Sequence, residues 1–158
     1  MKNPARTVLA LIFTSILAAG PASAQERETP YWASIDTSQL NMRVGPGRDY
    51  RIEWVYERDD LPLKVLRVQE GWRFVQDPDG TEGWVTAALI SADRTAYVTG
   101  EGLAAMRASP AGNAALRWKL ETGVIGSLGD CDAGWCEFTV GRRSGFVEQD
   151  RLWGAGEP

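Results

Sequence analysis

The sequence contains no histidine, and only two of its 158 residues are cysteines. Without histidine, the chain cannot perform Ser-His-Asp or Cys-His catalysis, and it lacks the usual imidazole ligand of zinc sites. No pair of carboxylates is recognisable as a glycosidase pair, and no motif indicates a cofactor-binding loop. We therefore expect a non-enzymatic protein with no metal and no cofactor.

Basic residues are in the minority, with 17 Lys and Arg against 21 Asp and Glu and a formal net charge of −4. A general phosphate-binding surface requires the opposite sign, so we expect no nucleic-acid partner. For the same reason the chain has no overall attraction to an anionic membrane surface.

Long apolar runs are also missing. The longest, at 8–19, is too short for a membrane span, and no second run follows. Lys2 and Arg6 precede this run and the small-residue motif Ala-Ser-Ala at 22–24 follows it. This order predicts a cleaved signal peptide over 1–24 and a periplasmic or secreted mature chain, with a retained N-terminal anchor as the alternative.

Cys131 and Cys136 lie close together in this exported chain. Four residues separate them, which is not the CxxC spacing of a redox motif. We predict that they form a disulfide, because exported proteins favour oxidised cysteines. A reactive thiol pair is the alternative.

A predicted hairpin at 71–85, GWRFVQDPDGTEGWV, organises the rest of the chain. Trp72 and Phe74 alternate with Arg73 and Val75, as in a strand with two different faces. The segment DPDG that follows combines residues that favour a tight turn. The same pattern recurs at 134–147, where a Gly-Trp pair is followed by a Gly-Phe pair.

Other segments repeat at matching offsets. The segment 105–110 aligns with 41–46, and 124–128 aligns with the apolar strand PLKVLRV at 62–68. In the earlier unit Leu40, Met42 and Val44 alternate and are expected to face inward. Short strands without amphipathic helices predict an all-β protein of two small tandem barrels.

The boundaries follow from this repeat. After the signal peptide we predict a flexible lead-in over 25–30, a first barrel over 31–92 and a second barrel with the disulfide over 93–155.

The runs MRVGPG at 42–47, PLKVLRV at 62–68, GWRFV at 71–75 and GWV at 83–85 resemble bacterial SH3-like (SH3b) domains of exported proteins. The resemblance covers about 32–155. It implies a five-stranded, partly open barrel for each unit and a cell-envelope location. It also implies binding of peptidoglycan peptide or glycan, with an envelope protein–protein adaptor or inhibitor as the alternative.

Eukaryotic SH3 domains that bind polyproline use a Trp at the start of this hairpin, and Trp72 matches it. Thr86 and Leu89 stand where those domains have a Pro and a Tyr. Half of the aromatic ladder is therefore missing, and we expect no polyproline binding.

Four residues are the candidate ligand contacts. Trp54, Tyr56 and Trp72 are predicted to line a shallow groove, because aromatic side chains offer large contact area to sugars and peptides at small entropic cost. Packing in the barrel core is the alternative for each of them. Arg43, which recurs as Arg107, is predicted to pair with a peptide carboxylate, with a salt bridge inside each barrel as the alternative.

The disulfide can be tested directly. Alkylation of the protein without reductant, followed by mass spectrometry, is expected to show no labelled thiol, because Cys131 and Cys136 protect each other. Two labels would contradict the bridge. After reduction we expect a loss of about 2 kcal/mol in unfolding free energy, as the closed loop is short.

Overall fold

The computed structural model describes residues 27–158, so the predicted signal peptide lies outside the described residues. The described part forms two antiparallel seven-stranded sheets, and its helical structure consists of two three-residue 3₁₀ turns. None of its helices is long and apolar enough to span a bilayer. The predicted all-β class is confirmed.

The first sheet contains β1 (Tyr31–Ile35), β2 (Leu40–Arg43), β3 (Ile52–Tyr56), β4 (Pro62–Gln69), β5 (Trp72–Gln76), β6 (Glu82–Thr86) and β7 (Ile90–Ser91). A 3₁₀ turn, Ala87–Leu89, joins β6 to β7. The strand order is β3-β2-β6-β5-β4-β1-β7.

The second sheet contains β8 (Thr95–Val98), β9 (Ala104–Arg107), β10 (Leu116–Leu120), β11 (Ile125–Asp132), β12 (Trp135–Val140), β13 (Arg143–Glu148) and β14 (Leu152–Trp153). Its order, β10-β9-β13-β12-β11-β8-β14, repeats that of the first sheet strand for strand. The predicted tandem repeat is therefore confirmed. Each sheet has seven strands rather than five, because the strand before the repeat and the short strand after the 3₁₀ turn also join it.

Alternation along β2 builds the first core. Leu40 and Met42 are fully buried and pack with Leu63, Val65 and other apolar residues of the first sheet. The inward prediction for Val44 is wrong, since its side chain is 45% exposed. The strand ends at Arg43, so Val44 belongs to the following loop and escapes the period-two pattern.

Core packing explains the glycine that precedes an aromatic residue in the last strand of each hairpin. In β6, a Cβ at Gly83 would collide with the side chain of Met42 in the core. In β13, a Cβ at Gly145 would lie 2.6 Å from Cγ of Met106. Both barrels therefore need glycine where a core methionine crosses the strand, and this need explains the recurrence of glycine in the repeat.

A buried polar pair distinguishes the first core from the second. The Tyr56 hydroxyl donates to Oδ2 of Asp77 at 2.8 Å, while Oδ1 of Asp77 accepts the backbone N–H groups of Asp79 and Thr81. Burial, the hydrogen bond to Asp77 and the nearby carboxylate charges raise the pKa of the Tyr56 phenol well above its ordinary value. Asp77 thus ties the hairpin turn to the core.

The second barrel replaces this polar pair with apolar residues. Leu120 and Val140 occupy the corresponding register positions and pack in or against the second core. The shared backbone therefore accepts either a hydrogen-bonded polar pair or two apolar side chains at these positions, provided that each buried polar group has a hydrogen-bond partner.

The predicted disulfide is confirmed. Cys131 and Cys136 face each other in register across β11 and β12, and their sulfur atoms are bonded. Cys136 is fully buried, so the bridge anchors one end of the second hairpin to its core.

The C-terminal segment from Trp153 onward docks the two barrels together. Trp153 meets Trp32 edge to face at 4.8 Å between ring centroids, and Nε1 of Trp32 donates to the carbonyl of Gly156 at 3.0 Å. From the other side, Arg58 donates to the carbonyl of Gly123 at 2.7 Å. These contacts fix how the barrels sit against each other.

The phenol of Tyr56 predicts a pH dependence. Because its pKa is raised on folding, its contribution to stability is complete below the unfolded value of about 10 and is lost as the pH rises above that value. In Tyr56→Phe we expect a loss of about 2 kcal/mol at neutral pH, since Asp77 loses a donor. The variant should also lose the alkaline slope of about 1.4 kcal/mol per pH unit that this phenol supplies.

Urea unfolding between pH 7 and 11 measures both effects. The matched control is Tyr50→Phe, because the Tyr50 ring is 50% exposed and should change neither quantity. An unchanged alkaline slope in Tyr56→Phe would contradict the assignment.

Docking of the barrels predicts a second stability effect. Trp153→Ala should lower the free energy of unfolding by about 2 kcal/mol, because it removes an aromatic contact in the joint and exposes Trp32. Leu103→Ala, at a side chain that is 53% exposed, should stay within about 0.5 kcal/mol of the wild type. Equal losses in the two variants, measured by urea denaturation, would rule out a role for the joint in stability.

Candidate functional site

A cleft opens in the first barrel where β2 and β6 separate. The two strands share one bridge, Arg43–Trp84, whereas β2 pairs with β3 along its length. The cleft that results has a volume of about 420 Å³. It is lined by Gln39, Asn41, Arg43, Arg48, Trp72, Thr86, Ala88 and Leu89.

The floor and one wall of the cleft follow from strand geometry. Because Leu40 and Met42 point into the core, Gln39, Asn41 and Arg43 point outward and form the floor. Trp72 lies opposite Thr86 in the β5–β6 pairing, and the two side chains form the wall. Of the four predicted contact residues, Arg43 and Trp72 therefore line the cleft together.

Arg43 also holds the loop between β2 and β3. Its Nη1 donates to the carbonyl oxygens of Arg48 at 2.9 Å and Tyr50 at 2.6 Å. Arg107 makes the corresponding bond to the carbonyl of Ala114 at 2.9 Å in the second barrel. The alternative of a salt bridge inside each barrel does not describe this arrangement, because these bonds go to backbone oxygens. The recurrent arginine is a loop clamp.

The charged lining of the cleft is positive. Arg43 and Arg48 are its two charged residues, although the whole chain is acidic. A guanidinium group binds a carboxylate through paired hydrogen bonds. The amides of Gln39 and Asn41 can donate and accept at the same time, and the half-buried Trp72 ring offers an apolar face. The cleft thus suits an acidic ligand with amide or hydroxyl groups.

The other two predicted contacts lie elsewhere. Tyr56 is 6% exposed and belongs to the core, as the alternative interpretation stated. Trp54 is 56% exposed, lies opposite Met42 in the β2–β3 pairing and has its ring 6.5 Å from that of Tyr56. It therefore projects on the other side of β3 from the cleft.

A bulge in β3 decides this placement. The pairing with β2 skips Glu53, so Ile52 lies opposite Arg43 while Trp54 lies opposite Met42. Ile52 and Val55, rather than Trp54, lie beside the outward side chains of the cleft floor. A strict period of two along the sequence could not reveal this inserted residue.

In the second barrel an arginine from the 3₁₀ turn at 149–151 binds the loop before β9. Arg151, at the position of Leu89, donates through Nε to the carbonyl of Thr99 at 2.9 Å and through Nη2 to those of Glu101 and Gly102 at 3.2 Å each. A cavity of about 620 Å³ lies beside Trp135 and is lined by Gly134, Trp135, Glu148, Gln149, Asp150 and Ala155. Three of these residues, Trp135, Glu148 and Asp150, occupy the positions of Trp72, Thr86 and Ala88. The two barrels thus share a frame and differ in their surfaces.

Several contacts of the cleft were missed by the sequence analysis, among them Gln39, Asn41, Arg48 and Ala88. The alternation of Leu40 and Met42 was a usable signal for the floor residues, because their neighbours must face outward. No comparable signal existed for Arg48, whose position depends on the loop clamp.

Metal chemistry finds no support in the described part of the chain. Between residues 27 and 158, no group of three or more His, Cys, Asp or Glu side chains is close enough to hold an ion.

Comparison with known proteins identifies the family. A model of the bacterial SH3 domain matches residues 37–92 and again 100–154. The chain belongs to this family and contains two SH3b domains. The resemblance inferred from the hairpin motifs is therefore confirmed.

A curated relative is the putative N-acetylmuramoyl-L-alanine amidase YrvJ of Bacillus subtilis (strain 168). The two sequences are 25% identical over 94% of this chain and 30% of the relative. The chain thus spans less than a third of the length of this relative.

Among solved structures, NlpC2 and NlpC1 from Trichomonas vaginalis both match with a TM-score of 0.37 and 12% identity. They cover 81% and 82% of this chain and 49% and 47% of their own chains. An NlpC/P60 family protein from Bacillus cereus ATCC 10987 matches with a TM-score of 0.34 and 10% identity, over 78% of this chain and 56% of its own.

Proposed function

We propose that this chain is a non-enzymatic, exported protein that binds peptidoglycan through the cleft of the first SH3b domain. SH3b domains commonly bind the cell wall, and the relative named above is a putative amidase of a cell-wall substrate class. The disulfide between Cys131 and Cys136 fits a location outside the cytoplasm, either periplasmic or in the medium.

The observation that carries the proposal is the open cleft of the first domain. Trp72 forms part of its wall, Arg43 lies on its floor and Arg48 belongs to the loop beside it. In the second domain Trp135, Glu148 and Asp150 stand at the positions of Trp72, Thr86 and Ala88 and line a cavity that carries two acidic side chains. The cationic lining is therefore particular to the first domain, and it supports a ligand with negative charge.

The chemistry of the lining selects the ligand class. Arg48 favours a carboxylate of the ligand over a backbone carbonyl, because the two N–H groups of a guanidinium match the two oxygens of a carboxylate. Asn41 and Gln39 fit the peptide or acetamido groups of the wall polymer, and Trp72 packs on a sugar ring or an aliphatic side chain. Stem peptides of the wall supply carboxylates and amide groups together, so we place them in this cleft.

Sedimentation with insoluble peptidoglycan tests the proposal. The wild-type protein should pellet with the wall material at low and moderate salt. Trp72→Ala should weaken binding by at least about tenfold, because it removes the aromatic wall of the cleft. Arg48→Ala should weaken it mainly at low salt, where an exposed guanidinium is least screened.

Two variants serve as controls. Trp135→Ala changes the corresponding tryptophan of the second domain, and Arg142→Ala removes an exposed charge from a turn. Both should pellet as the wild type does, with folding checked by circular dichroism. Retained binding in Trp72→Ala would refute the cleft, and a wild-type protein that stays in solution would refute wall binding and favour an envelope protein partner.

A further inference from the structure

A row of side chains crosses the outer face of the first sheet at one end of the cleft. The strand registers set Arg67 opposite Phe74, Phe74 opposite Trp84, and Trp84 opposite Arg43. We call these residues the cross-strand row, since paired residues of neighbouring strands stand side by side on one face. Arg43 belongs both to the row and to the floor of the cleft, so the row begins where the cleft ends.

A bulge in β4 brings Arg67 to this face. The pairing of β4 with β5 skips Leu66, so Val65 lies opposite Val75 while Arg67 lies opposite Phe74. Val65 is fully buried, and a strict period of two would set Arg67 beside it on the inner face. The inserted residue therefore turns Arg67 outward, onto the face that carries the cleft.

Two aromatic rings hold the guanidinium of Arg67. Its Cζ lies 4.2 Å from the ring centroid of Phe74 and 5.4 Å from that of Trp84. The side chain thus reaches from β4 across β5 toward β6, the strand with which Arg43 is paired. A guanidinium stacked on aromatic rings keeps its N–H edge available for an anion, and it is already ordered before the anion binds.

Within residues 27–158, no carboxylate lies at ion-pair distance from Arg67. The ion pair found there joins Arg51 to Glu53. Glu28 and Arg27 line a surface hollow together with Arg67, but Glu28 does not come within 4.0 Å of its guanidinium nitrogens. The exposed Arg67 can therefore bind a carboxylate that comes from outside the chain.

The second domain shows that the fold does not require this arginine. The same registers, bulge included, place Asp130 where the first domain has Arg67, and Glu137 where it has Phe74. Phe146 and Arg107 keep the rest of the row. A stacked guanidinium is thus replaced by two carboxylates on an unchanged strand frame. The positive charge of Arg67 has the same sign as the cleft lining and belongs to the surface chemistry of the first domain.

We propose that Arg67 is a second carboxylate contact of the wall-binding site, and that the site selects stem peptides with two free carboxylates. This inference rests on the wall binding proposed above and defines its ligand more closely. One carboxylate binds Arg48 in the cleft, and the ligand then passes over the Arg43–Trp84 bridge so that another carboxylate reaches Arg67.

The dimensions of the sheet suit a short peptide. Neighbouring strands are about 4.8 Å apart, so β2 and β4, which are three steps apart in the sheet, are separated by about 14 Å. An extended peptide of about four residues spans this distance. Amidation of a carboxylate removes the charge that a guanidinium binds, so the site discriminates against amidated stem peptides.

Sedimentation with two forms of insoluble peptidoglycan tests this selectivity. One form is untreated, and in the other carbodiimide coupling with ammonia has converted the free carboxylates to amides. The wild type should bind the untreated form at least about tenfold more tightly, because both guanidinium contacts need a negative partner. In Arg67→Gln this ratio should fall at least about threefold, since one of the two contacts is lost. A partly unfolded variant would bind both forms less and leave the ratio unchanged.

Two further variants complete the test. Arg142→Gln, at an exposed arginine of the second domain, should keep the wild-type ratio. Arg67→Lys should give an intermediate ratio, because it keeps the charge and loses the planar stacked group. A wild-type protein that pellets with neither form would overturn wall binding and this inference together. Pelleting that amidation does not weaken, or a ratio that Arg67→Gln does not change, would overturn this inference alone.

Discussion

The bridge between Arg43 and Trp84 is the constraint on which the first domain depends. It joins the β2–β3 hairpin to the rest of the sheet through β6, and it is the one residue pair in the register of these two strands. Beyond it the strands diverge, and the cleft begins there. The guanidinium of the same arginine holds the loop that places Arg48 at the cleft. The link between β2 and β6 and the shape of the cleft are thus coupled through one residue, Arg43.

The two domains show how much surface change one frame accepts. Arg107 and Phe146 repeat the bridge between Arg43 and Trp84, and the strand order is the same. Yet Arg151 takes the position of Leu89 and binds the neighbouring loop, and the second domain has Glu148 and Asp150 where the first has Thr86 and Ala88. Function in such a pair resides in surface residues placed on a shared scaffold.

The C-terminal segment of the second domain contacts the first domain directly. Trp32 is covered by Trp153 and donates to the chain segment that follows it, so the C-terminal residues act as part of the first domain's surface. The cleft lies on the first domain, and the second domain contacts that domain through these residues.

The sequence by itself determined the repeat, the strands and most of the core, because period-two alternation and turn residues act over a few neighbouring positions. It predicted Trp72 as a groove residue and Arg43 as a ligand contact, both of which line the cleft, and Cys131 and Cys136 as a disulfide. Only the tertiary structure decided that Tyr56 pairs with Asp77 inside the core and that Trp54 lies on the other side of β3. Those outcomes depend on a bulge and on contacts between distant strands, which leave no local pattern in the chain.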